Sequence, residues 1–244
     1  MQYCPSKEFK SYEIKTHRGN NMMHTEKAII DFIKDTVLDA KATGVVIGVS
    51  GGVDSAVVLA LCAKALGPEN IFALMLPSTN TPSKDLEDAV KLCEIFKIKR
   101  TKTIVIDNTL KTILNDVKDG AEYQKAVGNV QARIRMIYLY YYANSLNSLV
   151  VGTTDKSENL IGYFTKWGDG ACDLEPIIHL TKSEVRTLGS LLGIPNDICY
   201  KPSSPCLWPG HQAEKELGVT YKDIDRILEL NRFSEHKRKE IPHL

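Results

Sequence analysis

The chain has 244 residues, with 31 Lys and Arg against 30 Asp and Glu, a net charge of +1, 43% hydrophobic and 25% charged residues. That composition excludes collagen-like, coiled-coil and disordered classes, and the balanced charge argues against a dedicated nucleic-acid or membrane-surface binder. No run approaches the roughly 18–20 apolar residues of a membrane span, and the length suits one large domain or two small ones.

Residues 1–22 lack periodicity and read as a poorly ordered arm without the apolar core of a secretory signal. Met22 and Met23 mark a candidate start. From Thr25 the pattern turns helical, with Ile29, Ile30, Ile33, Val37 and Leu38 assigned to one face, ending at Gly44. Val45–Val49 is a β-branched run, read as a buried strand broken by Ser50-Gly51-Gly52. Ala56–Leu66 is apolar and stops at Gly67-Pro68, a helix end. Ile71–Leu76 reads as the second strand, Asp85–Phe96 as a helix and Thr103–Ile106 as the third strand. Gln124–Asn144 reads as a long helix with Val127, Ile134, Ile137, Tyr138 and Tyr141 facing inward. Its Tyr138, Tyr140, Tyr141 and Tyr142 suit helix packing or a dimer interface. Ser148–Gly152 is the fourth strand, Ile177–Leu180 a candidate fifth, and Ser183–Leu192 a helix. Strands that are apolar on both faces and alternate with helices predict α/β architecture, a doubly wound parallel sheet flanked by helices. No linker interrupts the pattern, so residues 23–244 read as a single domain.

The six cysteines, Cys4, Cys62, Cys93, Cys172, Cys199 and Cys206, form no CxxC pair. They read as free, mostly buried thiols in a reducing cytoplasm.

Gly48-Val49-Ser50-Gly51-Gly52-Val53-Asp54-Ser55 joins a strand to a helix. Adjacent glycines let backbone N–H groups approach a ligand closely, and the helix start favours phosphate. Ser50 and Ser55 offer hydroxyls. Asp54 would repel phosphate unless a cation lies between, which points to Mg²⁺. No Lys follows the glycines, so this is not a Walker loop, and Ser50 breaks the dinucleotide fingerprint.

Ser50-Gly51-Gly52-Val53-Asp54-Ser55 resembles the SGGxDS pyrophosphate loop of N-type ATP pyrophosphatases, which implies an adenine-nucleotide α-hydrolase-like fold. A second block chooses among them. Val151-Gly152-Thr153-Thr154-Asp155-Lys156-Ser157-Glu158, Gly162-Tyr163-Phe164-Thr165-Lys166-Trp167-Gly168-Asp169-Gly170, Asp173, Pro176 and Lys182 resemble the signature of NAD synthetases. So do Asn129, Arg133, Arg135 and Met136, the stretch from Lys201 to Gly218, and Glu235-His236-Lys237-Arg238. The ammonia-dependent NAD synthetase resemblance covers residue 26 to the end.

It implies ligase chemistry: amidation of nicotinic acid adenine dinucleotide (deamido-NAD) by ammonia, through an adenylated intermediate, with release of AMP and pyrophosphate. ATP is co-substrate and Mg²⁺ the cofactor. The resemblance implies ATP binding by Gly48–Ser55 with Thr153, Lys182 and Ser204, and Mg²⁺ binding by Asp54 and Glu158. It implies dinucleotide binding by Arg133, Lys166, Asp173, His236 and Lys237, an ammonia site at Asp169, and a homodimer. Helix geometry puts Arg133 and Arg135 on different faces, and Arg133 is the one assigned to the ligand. The residues ahead of the loop leave no room for a glutaminase domain, so the expected nitrogen source is free ammonia or ammonia delivered by a separate protein.

The match has departures. Asp155 stands where the family usually has Asn, an added charge that either weakens nucleotide binding or faces water. Pro205 removes a backbone donor after Ser204. His211-Gln212-Ala213 replaces Gln-[ST]-Asp, and the stretch from Tyr221 to His236 is short. The alternatives are another SGGxDS pyrophosphatase, such as a tRNA-modifying sulfurtransferase, and a catalytically weak nucleotide-binding paralogue.

Overall fold

The computed structural model describes residues 22–117 and 123–239, with side chains to residue 230. Within these residues four strands form one sheet in the order β3-β2-β1-β4, every pair parallel. The strands are β1 Gly44–Gly48, β2 Ile71–Met75, β3 Thr101–Thr103 and β4 Ser148–Val151.

Side chains alternate across a strand, and β1 shows the consequence. Val45 and Ile47 pack to one side, Val46 to the other, and all three are buried. On the first side lie α1 Met22–Asp39, α2 Val53–Leu66, α3 Ser83–Ile95 and α7 Lys182–Leu191. On the second lie α4 Asp107–Asp116 and α5 Gln124–Ser145. α2 is buried almost all round because α1 and α7 cover it, which explains its unbroken apolar run. The short helices α6 Lys156–Ile161, α8 Asn196–Cys199 and α9 Ala213–Leu217 precede α10, Tyr221–Lys239.

The structure corrects several expectations. Ile177–Leu180 is a turn with Ile177 and Leu180 buried, and among the described residues the pairing near it is an isolated bridge between Val151 and Leu174. A short run of Ile177, Ile178 and Leu180 broken by His179 suits a turn as well as a strand. β3 lies two residues earlier than its predicted start, because Ile104–Ile106 already leads into α4. α4 carried no clear signal and was missed. Leu38 is 75% exposed, since the buried face of α1 runs through Thr25, Ile29, Ile33 and Val37 at four-residue steps. On α5, Ile134 is buried but Ile137 and Tyr141 are 58% and 63% exposed. Met22 belongs to α1 rather than to the proposed arm, whose residues 1–21 lie outside the described residues. No helix among the described residues is long and apolar enough to cross a membrane.

Candidate active site

β1 has β2 on one side and β4 on the other, and the chain runs outward in opposite directions from it. Ligands of open parallel sheets sit at the strand carboxyl ends where the order reverses. A cavity of about 490 Å³ opens there, lined by Gly48–Ser50, Gly52–Ser55, Thr153 and Glu158 among others. That volume suits a nucleotide-sized ligand.

The turn between β1 and α2 is self-braced. Ser50 N–H donates to Ser55 Oγ at 3.2 Å, and Ser55 Oγ donates to the Gly52 carbonyl at 3.1 Å. Gly51 has φ +79°, and a Cβ there would lie 2.2 Å from the Asp85 carbonyl oxygen. Only glycine satisfies both conditions. Gly51 faces this backbone and does not line the cavity.

Lys182 is fully buried beneath the turn, behind the cavity wall rather than on it. Its Nζ lies 2.8 Å from Asp54 Oδ2, 2.8 Å from Glu158 Oε1 and 3.0 Å from Asp155 Oδ2. Two reciprocal caps place these groups. Asp155 accepts from Glu158 N–H at 2.8 Å and opens α6, while Thr181 and Glu184 do the same for α7. Asp155 therefore does not face water: it is a buried helix cap and a third partner of Lys182.

The electrostatics follow from burial. Desolvation pushes the Asp155 carboxyl up to about 6 and that of Glu158 up to about 8, against the pull of Lys182. Burial also opposes the Lys182 ammonium, but Asp54, Glu158 and Asp155 outweigh it and hold its pKa well above the ordinary value.

Asp54 Oδ1 is buried and accepts no hydrogen bond among the described residues. A free hard oxygen beside this turn fits Mg²⁺, which uses one or two carboxylates plus substrate phosphates. Glu158 is more committed, since its Oε1 already accepts from Lys182 and from the Tyr221 hydroxyl.

Asp169 lines the same cavity and accepts from Thr165 N–H at 2.8 Å. The protein packed about its carboxyl raises its pKa. Ser204 also lines the cavity; its hydroxyl donates to the His211 carbonyl and accepts from Cys206 N–H at 3.2 Å. Thus Asp54, Glu158, Thr153, Ser204 and Asp169 meet at one cavity, with Lys182 behind it.

The other predicted residues lie elsewhere. Arg133 is exposed and donates to the Lys166 carbonyl at 3.1 Å. Lys166 is exposed, its ammonium 5.5 Å from the Trp167 ring centre. Asp173 accepts from Tyr140 O–H at 3.2 Å and Val150 N–H at 2.8 Å. None of the three lines the cavity. Arg135 does; it is half-buried, donates to the Leu76 carbonyl at 2.9 Å, and desolvation lowers its pKa. His236 and Lys237 lie on α10 beyond the described side chains.

Sequence reasoning missed several cavity residues. Lys201 bridges Asp85 at 2.7 Å and Asp88 at 2.8 Å. Trp208 stacks on His211 with ring centres 3.4 Å apart, and His211 Nε2 lies 2.8 Å from Glu216. Tyr221 and Asp225 were missed too, though their four-residue spacing on one helix face was readable.

A parallel sheet with an SGGxDS turn at its switch point defines an adenine-nucleotide α-hydrolase-like protein. The sequence profile of the NAD synthase family matches residues 25–243, and the chain belongs to that family, whose members are ligases. It is 50% identical over 204 residues to an NH(3)-dependent NAD(+) synthetase of Staphylothermus marinus, covering 83% of this chain and 74% of the relative. The corresponding enzyme of Archaeoglobus fulgidus is 44% identical over 211 residues, covering 86% and 84%. Among solved structures, the NMN synthetase of Francisella tularensis superposes with a TM-score of 0.81 at 40% identity, covering 85% of this chain and 86% of that one. The NH3-dependent NAD synthetase of Campylobacter jejuni gives 0.75 at 34% identity, covering 92% and 89%.

Proposed function

We propose that residues 23–244 form one domain that amidates deamido-NAD to NAD with ammonia, using ATP and releasing AMP and pyrophosphate. The observation that carries this reading is that the phosphate turn, Asp54 and Asp169 line one cavity. The names of the relatives support the substrate.

A carboxylate is a poor acyl donor because oxide is a poor leaving group. Adenylation by ATP replaces it with AMP. The N–H groups at the start of α2 would stabilise the charge that develops on the phosphates. Asp54, with Glu158 beside it, would hold Mg²⁺, which supplies further charge stabilisation at the phosphates. Lys182 offsets part of the charge on these carboxylates from behind. Asp169 would attract ammonium and accept its proton as nitrogen attacks the acyl adenylate.

Arg133, Lys166 and Asp173, off the cavity, belong in this reading to the dinucleotide's far end. The exposed α5 face bearing Arg133, Ile137 and Tyr141 is the proposed homodimer surface. Half-buried Tyr138 and Tyr142 are accounted for within the fold, the first by a hydroxyl hydrogen bond with Thr109 at 2.8 Å and the second by packing on Phe72 with ring centres 5.0 Å apart. Free Cys62, Cys93, Cys172, Cys199 and Cys206 suit the reducing cytoplasm.

A second reading is amidation of the mononucleotide acid, favoured by the superposition on an NMN synthetase. The test is AMP release with Mg²⁺ and ATP across deamido-NAD, nicotinic acid mononucleotide and xanthosine monophosphate, with and without ammonium. The first acid should give AMP and then NAD. Preference for the mononucleotide would establish the second reading. Turnover of xanthosine monophosphate alone would overturn both, and ATP binding without turnover would indicate a weak paralogue.

A further inference from the structure

The buried ammonium of Lys182 is held from below by the first turns of α10. Lys182 N–H donates to Ser157 Oγ at 3.1 Å, and Ser157 Oγ donates to Asp225 Oδ1 at 2.5 Å. Asp225 Oδ2 accepts from Ser183 N–H at 2.8 Å and from Ser183 Oγ at 2.5 Å. One buried carboxylate thus ties the first turn of α6 to the first turn of α7. These are the two turns that carry Glu158 and Lys182.

Tyr221 lies one helical turn before Asp225, on the same face of α10. It is fully buried. Its ring centre is 4.9 Å from Lys182 Nζ, within cation–π range, and its hydroxyl donates to Glu158 Oε1 at 3.3 Å. Glu214 Oε1 accepts from Tyr221 N–H at 2.8 Å and pins the start of α10. Docking a helix needs only an apolar face. Burying a carboxylate and a phenol against an ion cluster carries a desolvation cost, and both groups are spent on the residues around Asp54.

We infer that Tyr221 and Asp225 are positioning residues for the nucleotide step. Asp225 fixes the spacing of α6 and α7. Tyr221 fixes the Lys182 ammonium and the Glu158 carboxylate against Asp54. The inference rests on the reading of Asp54, Glu158 and Lys182 as the groups that handle ATP.

The experiment compares the full chain with Tyr221→Phe, Tyr221→Leu, Asp225→Asn and Asp225→Ala. Calorimetry gives the affinity for ATP with Mg²⁺, steady-state assays give KM for the acid substrate, and thermal melting gives stability. Tyr221→Leu should weaken ATP binding about tenfold, while Tyr221→Phe, which keeps the ring beneath the ammonium, should recover most of it. Asp225→Ala should act in the same direction, and the acid KM should stay put in all four. Unchanged ATP affinity in Tyr221→Leu and Asp225→Ala, with only a lowered melting point, would overturn the inference and leave α10 a packing element. If those two fail to fold, Asp225→Asn decides it: weaker ATP binding at normal acid KM supports positioning, and wild-type affinity overturns it. Wild-type protein that bound no ATP would overturn the functional reading and the inference together. Wild-type protein that bound ATP as tightly as its variants did would remove the inference alone.

Discussion

The Lys182 ammonium lies 3.0 Å from Asp155 Oδ2, and neither side chain is exposed to solvent. Asp54 and Glu158 complete the set, so one cation faces three carboxylates. Such a cluster is stable only if acid charge is partly suppressed, and burial does this by raising the pKa of Asp155 and Glu158. The surplus acid favours an incoming cation at Asp54, whose Oδ1 lacks a partner among the described residues.

Asp155→Asn should therefore be tolerated. Asn caps helices as well as Asp does, and the change removes a desolvated charge. We expect a thermal midpoint equal to or above that of the wild type. Asp155→Ala loses the cap and should cost about 1 kcal/mol in urea unfolding. A large loss in the Asn variant would show that the third charge is itself required.

The cluster should make ligand-free stability depend on pH. A carboxyl with a raised folded pKa stabilises the fold while protonated. That contribution is complete below the ordinary carboxylate range and is lost as pH climbs through about 6 for Asp155 and about 8 for Glu158. The midpoint should fall between pH 5 and pH 9, and fall less in Glu158→Gln. Melting curves across that range check it; parallel profiles for the two proteins would remove Glu158 as the cause.

Gly51→Ala should damage the phosphate turn. The new Cβ would meet the Asp85 carbonyl at 2.2 Å on a backbone at φ +79°. We expect about 1–3 kcal/mol of lost stability from the strain, together with loss of ATP binding. Denaturant titration measures the first and calorimetry the second.

Asp169→Asn keeps an acceptor for Thr165 N–H but cannot take a proton from ammonium. AMP release should continue while amide formation slows by about 10²-fold or more. Equal impairment of both steps, followed by separate AMP and NAD assays, would take Asp169 out of the ammonia role.

Ile137→Asp and Tyr141→Glu place charges on an exposed apolar stretch of α5. The wild type should run as a dimer in light scattering, and each variant should shift towards monomer. A wild-type monomer at tens of micromolar would assign this surface to something else.

Much of the architecture could be read from local pattern. The run Val45–Val49, the turn Ser50–Ser55 and the helix stop at Gly67-Pro68 are statements about neighbours in the chain, and neighbours obey backbone sterics. Helix burial was less legible. Leu38, Ile137 and Tyr141 are apolar, yet each ends up exposed, because hydrophobicity says that a residue can be buried and not that another element arrives to cover it. Ile177–Leu180 failed for a related reason: the chain turns there to deliver Thr181 and Lys182 to the site.

By itself the sequence determined the strand–helix alternation, the tight turn Ser50–Ser55 and the family resemblance, since these follow from short-range order and residue type. Only the tertiary structure decided which residues meet. Lys182 and Asp54 are 128 positions apart, and Tyr221 and Glu158 are 63 apart. Their contact depends on where β1, β4, α7 and α10 pack, and so does the charge each group carries. Burial and proximity set those pKa values, and neither is a property of any single stretch of chain.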